Sequence, residues 1–130
     1  MAATYLDSSA IVKLAVRENE SAALRAYLRR RRPLVSSSLA RTEVLRALLP
    51  SGEDAVTAGR KVLARVDLVR VSTAVLDEAA ALLPAELRSL DAIHLATAGQ
   101  LGRDLAAIIT YDQRMAEAAA ALKHRVVVPR

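Results

Sequence analysis

Thr4-Tyr5-Leu6-Asp7-Ser8-Ser9 and Leu105-Ala106-Ala107-Ile108-Ile109-Thr110-Tyr111-Asp112 share one pattern: a short apolar run closes on an acid and passes at once into a helical pattern. A strand buried on both faces reads as an unbroken apolar run, whereas a strand with one wet face alternates. These two runs, Thr4–Leu6 and Leu105–Thr110, therefore read as inner strands. Outward from them, shorter runs at Leu34–Ser36, Asp67–Val71 and Arg125–Val128 read the same way.

The stretches between carry apolar residues at helical spacing. Ser8 or Ser9 is expected to cap a helix to about Val16, because a hydroxyl satisfies the orphan N–H groups of a first turn. A second helix is predicted from about Glu20 to Arg31, stopped by Pro33. Ser37 or Ser38 caps a third through Leu49, and Pro50-Ser51-Gly52 is a turn. Further helices are expected over Glu53–Arg65, Ala74–Leu83 (capped by Thr73), Leu90–Leu101 (capped by Ser89 and ended by Gly102), and from Asp112 to about Leu122. Alternating strands and helices predict an α/β fold. The expected form is a three-layer α/β/α sandwich with a short, mostly parallel sheet of about five strands, in one domain over residues 1–130.

Composition narrows the chemistry. Hydrophobic residues make up 53 % of 130, enough for a core, and the absence of Phe and Trp makes that core aliphatic. The absence of cysteine excludes disulfides, thiolate metal sites and a Cys nucleophile, and fits a reducing compartment. Neither a signal peptide nor a membrane span of about 18 apolar residues is expected, so the plain reading is cytoplasmic. The net charge is +5, with 16 Arg against 3 Lys. Arginine suits phosphate through its planar fork, although a GC-rich genome also inflates Arg and Ala. The run Arg29-Arg30-Arg31-Arg32 suits RNA phosphates and, equally, the negative end of a helix dipole.

Parallel α/β sheets bind ligands outside the carboxyl ends of their strands. Asp7 and Asp112 stand at two such ends. Glu43 lies among Leu39, Val44 and Leu45 and needs a partner, for which Arg41 and Arg46 are candidates. Asp91 opens an otherwise apolar helix. Each aspartate also has a plain reading as a helix cap or dipole partner. Together the four acids would repel one another unless cations neutralise them, and oxygen ligands select Mg2+ or Mn2+. Ions of this kind activate water against a phosphodiester. His94, on the same helix face as Asp91, reads as a packed, hydrogen-bonded neighbour rather than a ligand. Arg114 suits either a phosphate or open solvent, and Leu14 and Val16 suit either a partner groove or the core.

The residues Tyr5-Leu6-Asp7-Ser8-Ser9-Ala10-Ile11-Val12, Arg41-Thr42-Glu43-Val44, Leu90-Asp91-Ala92-Ile93-His94-Leu95-Ala96-Thr97-Ala98 and Thr110-Tyr111-Asp112-Gln113-Arg114-Met115 resemble a PIN-domain ribonuclease, specifically the toxin of a VapBC-type toxin–antitoxin pair. Order and spacing agree over essentially the whole chain. The resemblance implies that Asp7 and Asp91 are the main metal ligands, with Glu43 and Asp112 completing the acidic pocket, often through water. Ser9 and Thr110 match small hydroxyl positions beside it. It also implies RNA cleavage, a homodimer, and silencing by a VapB-type antitoxin. Two other readings compete: a receiver-like phospho-acceptor and a non-catalytic RNA-binding module. The first lacks a paired acid after Asp7 and a Lys after the last strand. The second gains nothing from clustered negative charge.

Overall fold

A computed structural model describes residues 2–130. Strands β1 (Ala3–Leu6), β2 (Leu34–Ser37), β3 (Asp67–Val69), β4 (Leu105–Ile109) and β5 (Val126–Val127) form one sheet in the order β3-β2-β1-β4-β5. Every pairing is parallel. The helices are α1 (Ser8–Ala15), α2 (Ser21–Leu28), α3 (Leu39–Leu48), α4 (Glu53–Leu63), α5 (Thr73–Ala81), α6 (Ser89–Gly99) and α7 (Gln113–Ala121).

Neighbouring strand residues feed opposite layers, as the pleat requires. Leu6 and Ile109 pack with Ile11, Leu24, Val44 and Leu63 from α1 to α4. Tyr5 and Ile108 pack with Leu95, Met115 and Ala119 from α6 and α7. Val75 and Ala79 of α5 close over Ala92 and Ala96 of α6. The result is the expected α/β/α sandwich. The order reverses at β1, whose neighbours β2 and β4 lie on either side, so the crevice predicted for such a reversal opens above β1 and β4. Pairing Leu6 with Ile109 sets Asp7 beside Thr110. Among the described residues no helix is long and apolar enough to cross a membrane.

The expected helix caps shift. Asp7, not Ser8 or Ser9, caps α1, its carboxylate accepting from the Ala10 amide at 3.0 Å. Ser72, not Thr73, caps α5 at 3.2 Å from the Val75 amide. Ser89 lies inside α6 rather than capping it, and the Arg88 side chain makes no cap bond. Ser38 holds the cap position of α3 without a side-chain bond, while Ser37 accepts from the Leu39 amide at 3.1 Å. Helix α2 ends at Leu28, three residues before the expected Arg31. Four consecutive like charges before a proline discourage another turn. Strand β3 stops at Val69, short of Val71, where the Val69 carbonyl turns to the Ser38 amide at 2.8 Å.

Candidate active site

The four acids reach the crevice from four elements. Asp7 follows β1 and caps α1; Asp112 follows β4 and caps α7, accepting from the Met115 amide at 3.1 Å. The plain cap reading of both aspartates is therefore correct as far as it goes. Asp91 lies in the first turn of α6, and Glu43 in the middle of α3.

Asp7 is 4 % exposed. Its Oδ1 accepts from the Ser9 hydroxyl at 2.6 Å and the Ala10 amide, and its Oδ2 from the Thr110 hydroxyl at 2.5 Å. Each hydroxyl is itself oriented by a backbone amide. Tyr111 N–H donates to Ser9 Oγ at 2.9 Å, and Asp112 N–H to Thr110 Oγ1 at 3.1 Å. Burial pushes the Asp7 carboxyl above its ordinary range, and the bonds from Ser9, Thr110 and Ala10 recover only part of that rise. Ser9 and Thr110 thus flank Asp7.

Asp91 accepts no hydrogen bond among the described residues. Its carboxyl is pushed up by burial, then by the negative charges of Asp112 and Asp7, against the pull of His94 and Arg88. Asp91 of α6 therefore lies within the field of the two strand-end aspartates. No group of three or more acidic or His side chains stands ready to hold a metal ion among the described residues. The carboxylates do not make a preformed cage.

Glu43 has partners of its own. Its Oε1 accepts from the Ser8 hydroxyl at 2.6 Å and meets His94 Nε2 at 2.6 Å. Burial raises its carboxyl, but the bonds from His94 and Ser8 and the His94 field outweigh burial and leave it below its ordinary value. The candidates Arg41 and Arg46 are exposed and make no ion pair with it; His94 is the partner. His94 is 2 % exposed, and its Nδ1 lies 2.7 Å from the Tyr5 hydroxyl. An ionised carboxylate only accepts, so Nε2 carries the proton toward Glu43 and Nδ1 is left to accept from Tyr5 in the neutral ring.

Sequence reasoning missed Ser8 and Tyr5. Adjacent serines divide the work, Ser9 holding Asp7 and Ser8 holding Glu43. The available signal was the doubling of hydroxyls directly after the strand-end acid. Arg114 does not join the acids. It is exposed and lines a groove beside Leu83 and Leu87.

A protein-family model described as PIN domain matches residues 4–121. Ribonuclease VapC46 of Mycobacterium tuberculosis (strain ATCC 25618 / H37Rv) is 65 % identical over 129 residues, covering 99 % of each chain. Among solved structures, that of Mycobacterium tuberculosis VapC20, described as a Sarcin-Ricin loop cleaving toxin, superposes with a TM-score of 0.77 at 16 % identity, over 97 % of this chain and 99 % of that one. A toxin–antitoxin complex from Klebsiella pneumoniae contains a chain that superposes with a TM-score of 0.73 at 22 % identity, over 98 % of each chain. At such identities the two structures speak for the fold.

Proposed function

Since this chain belongs to the PIN-domain family, and within it to the VapC-type toxin ribonucleases, we propose that it is a metal-dependent endoribonuclease acting in the cytoplasm as the toxin of a toxin–antitoxin pair. One arrangement supports the reading: Asp91, in the first turn of α6, accepts no hydrogen bond among the described residues, and its carboxyl is held up by burial and then by the charges of Asp112 and Asp7. Such an arrangement is unfavourable in an empty pocket and favourable around a divalent cation.

The oxygen donors fit Mg2+ or Mn2+. Asp7 and Asp91 would hold it, with Asp112 and Glu43 acting alongside or through water. When bound, the ion supplies an activated water and positive charge against the phosphate oxygens. The chain's own groups do the rest. Ser9 and Thr110 fix both oxygens of Asp7, so its orientation is set before ligand arrives. Ser8 and His94 keep Glu43 ionised and aimed, and Tyr5 holds the far side of the His94 ring. Glu43 can accept a proton from water in the crevice, and burial of Asp7 lowers the local polarity in which that transfer takes place.

The toxin role brings two partners: a VapB-type antitoxin and a second copy of this chain. Purified protein should degrade RNA with Mg2+ or Mn2+ and stop when the metal is chelated. Asp7→Asn and Asp91→Asn should each abolish cleavage while melting cooperatively. Undiminished cleavage in chelator, or by Asp91→Asn, would refute the metal mechanism.

A further inference from the structure

Seven of the sixteen arginines line two clefts on the amino-terminal side of the sheet, away from Asp7 and Asp112. A cleft of about 270 Å3 at the amino-terminal ends of β1, β4 and β5 is lined by Arg30, Arg31, Arg32 and Arg125. Arg32 also borders a second cleft, of about 300 Å3 between α2 and α4, with Arg25, Arg29 and Arg65. All seven are exposed. No Asp or Glu lines either cleft. The ion pairs among the described residues join Lys13 to Glu18 and Glu20, and His94 to Glu43, so none of these guanidinium groups is neutralised by an acid.

Arg31 is stacked 3.9 Å from the centroid of Tyr27 and donates to the Tyr27 carbonyl at 2.7 Å, so that part of the belt is preorganised. Unpaired like charges on neighbouring loops repel, and their crowding is unfavourable without an anion. The end of α2 alone does not account for it, because Arg65 follows α4 and Arg125 precedes β5.

We propose that this belt anchors the phosphate backbone of single-stranded RNA at the sheet's amino-terminal edge, opposite the crevice. The choice of RNA as ligand rests on the ribonuclease reading. At about 3.3 Å per residue, the four-residue strand β1 separates the two edges by roughly 10 Å through the sheet, so a flexible RNA strand can wrap from one to the other. Besides its arginines the first cleft is lined by Ala2, Thr4, Tyr27, Ala106 and Ala107, whereas Leu28, Leu34, Val62 and Val66 line the second, so the choice of ligand rests on the arginines and their spacing. A repeating polyanion matches strung-out guanidinium groups better than a folded partner does.

The test measures binding of a fluorescein-labelled oligouridylate by anisotropy, in chelator, across a salt series. The variant combining Arg30→Ala, Arg32→Ala and Arg125→Ala should raise Kd at least tenfold. It should also make the slope of log Kd against log salt shallower by about two, at about 0.7 per lost phosphate contact. Lysine at the same positions should keep most of the slope. If the triple variant melts early, Arg30→Glu and Arg125→Glu singly should each raise Kd several-fold. Kd within twofold of the parent with an unchanged slope would overturn the proposal. So would intact RNA binding with lost affinity for oligoglutamate, which would assign the belt to an acidic protein. Cleavage of total RNA with Mg2+ is measured in parallel. Arginine-dependent binding without any cleavage would sink the ribonuclease reading alone, and cleavage with unaltered binding would sink the belt alone.

Discussion

Asp7 has both carboxylate oxygens engaged by Ser9, Ala10 and Thr110, whereas Asp91 has neither engaged among the described residues. Substituting Ser9→Ala leaves Asp7 capping α1 but lets its ring of donors relax. A lost outer-shell bond of this kind typically weakens metal affinity or rate about 10- to 100-fold. The Mg2+ concentration for half-maximal cleavage should rise by that order, with the melting temperature little changed. Asp7 and Asp91 both have carboxyls raised in the folded protein, so the fold binds their protons more tightly than the unfolded chain does. Metal-free protein should therefore gain stability from these two groups as pH falls through their raised values toward the ordinary 3.8. Glu43, lowered by His94 and Ser8, works in the other direction: its contribution is present above the ordinary 4.5 and is lost as pH falls through its depressed value. Thermal melts in chelator should show Asp91→Asn more stable than the parent at neutral pH, with part of the acid-side gain removed. A less stable Asp91→Asn would contradict the repulsion argument.

Helices α3 and α4 approach so closely that Gly59 has no room for a side chain. A Cβ there would stand 2.5 Å from Leu48 Cδ1 and 3.3 Å from Leu45 Cδ2, and Leu48 is itself buried. Gly59→Val should cost about 1–3 kcal/mol by overpacking, read from urea unfolding. Because α3 carries Glu43, the same change should also weaken cleavage by the folded fraction. The seven helices and five strands were legible from periodicity, because apolar spacing reports which face is buried. Their caps were not. Asp7, Ser8 and Ser9 offer three suitable oxygens in a row, and tertiary partners decide among them: Ser8 turns to Glu43, and Ser9 accepts from the Tyr111 amide. Glu43 was legible as an acid needing a partner, but the nearby Arg41 and Arg46 concealed a distant one, His94 on α6. Contacts spanning 51 residues leave no local trace in the sequence.

At the scale of the whole molecule, Asp7 and Asp112 stand at the carboxyl ends of β1 and β4, while arginines line clefts at the amino ends, where Asp67 and Asp104 also lie. That arrangement was half legible: the strand-end acids stood out, whereas Arg65 and Arg125 are isolated in sequence and join the Arg29–Arg32 run only through folding. The strand order has a consequence for synthesis. Strand β1 leaves the ribosome first, yet its neighbour β4 arrives only after Leu105, and Asp7 finds the Thr110 hydroxyl 103 residues later. Domains can begin folding from the amino end while the chain is still being made. Here that partial order cannot assemble the crevice, because two of its walls, Thr110 and Asp112, are translated more than a hundred residues after Asp7. On the proposed reading, a nascent chain should therefore spare the RNA around it until Thr110 and Asp112 have been made. A fragment ending at Asp104 should leave cellular RNA intact when induced, even where the full chain degrades it. Premature stop codons before Thr110 should be silent, and any growth arrest they caused would mean that Thr110 and Asp112 are not needed for activity.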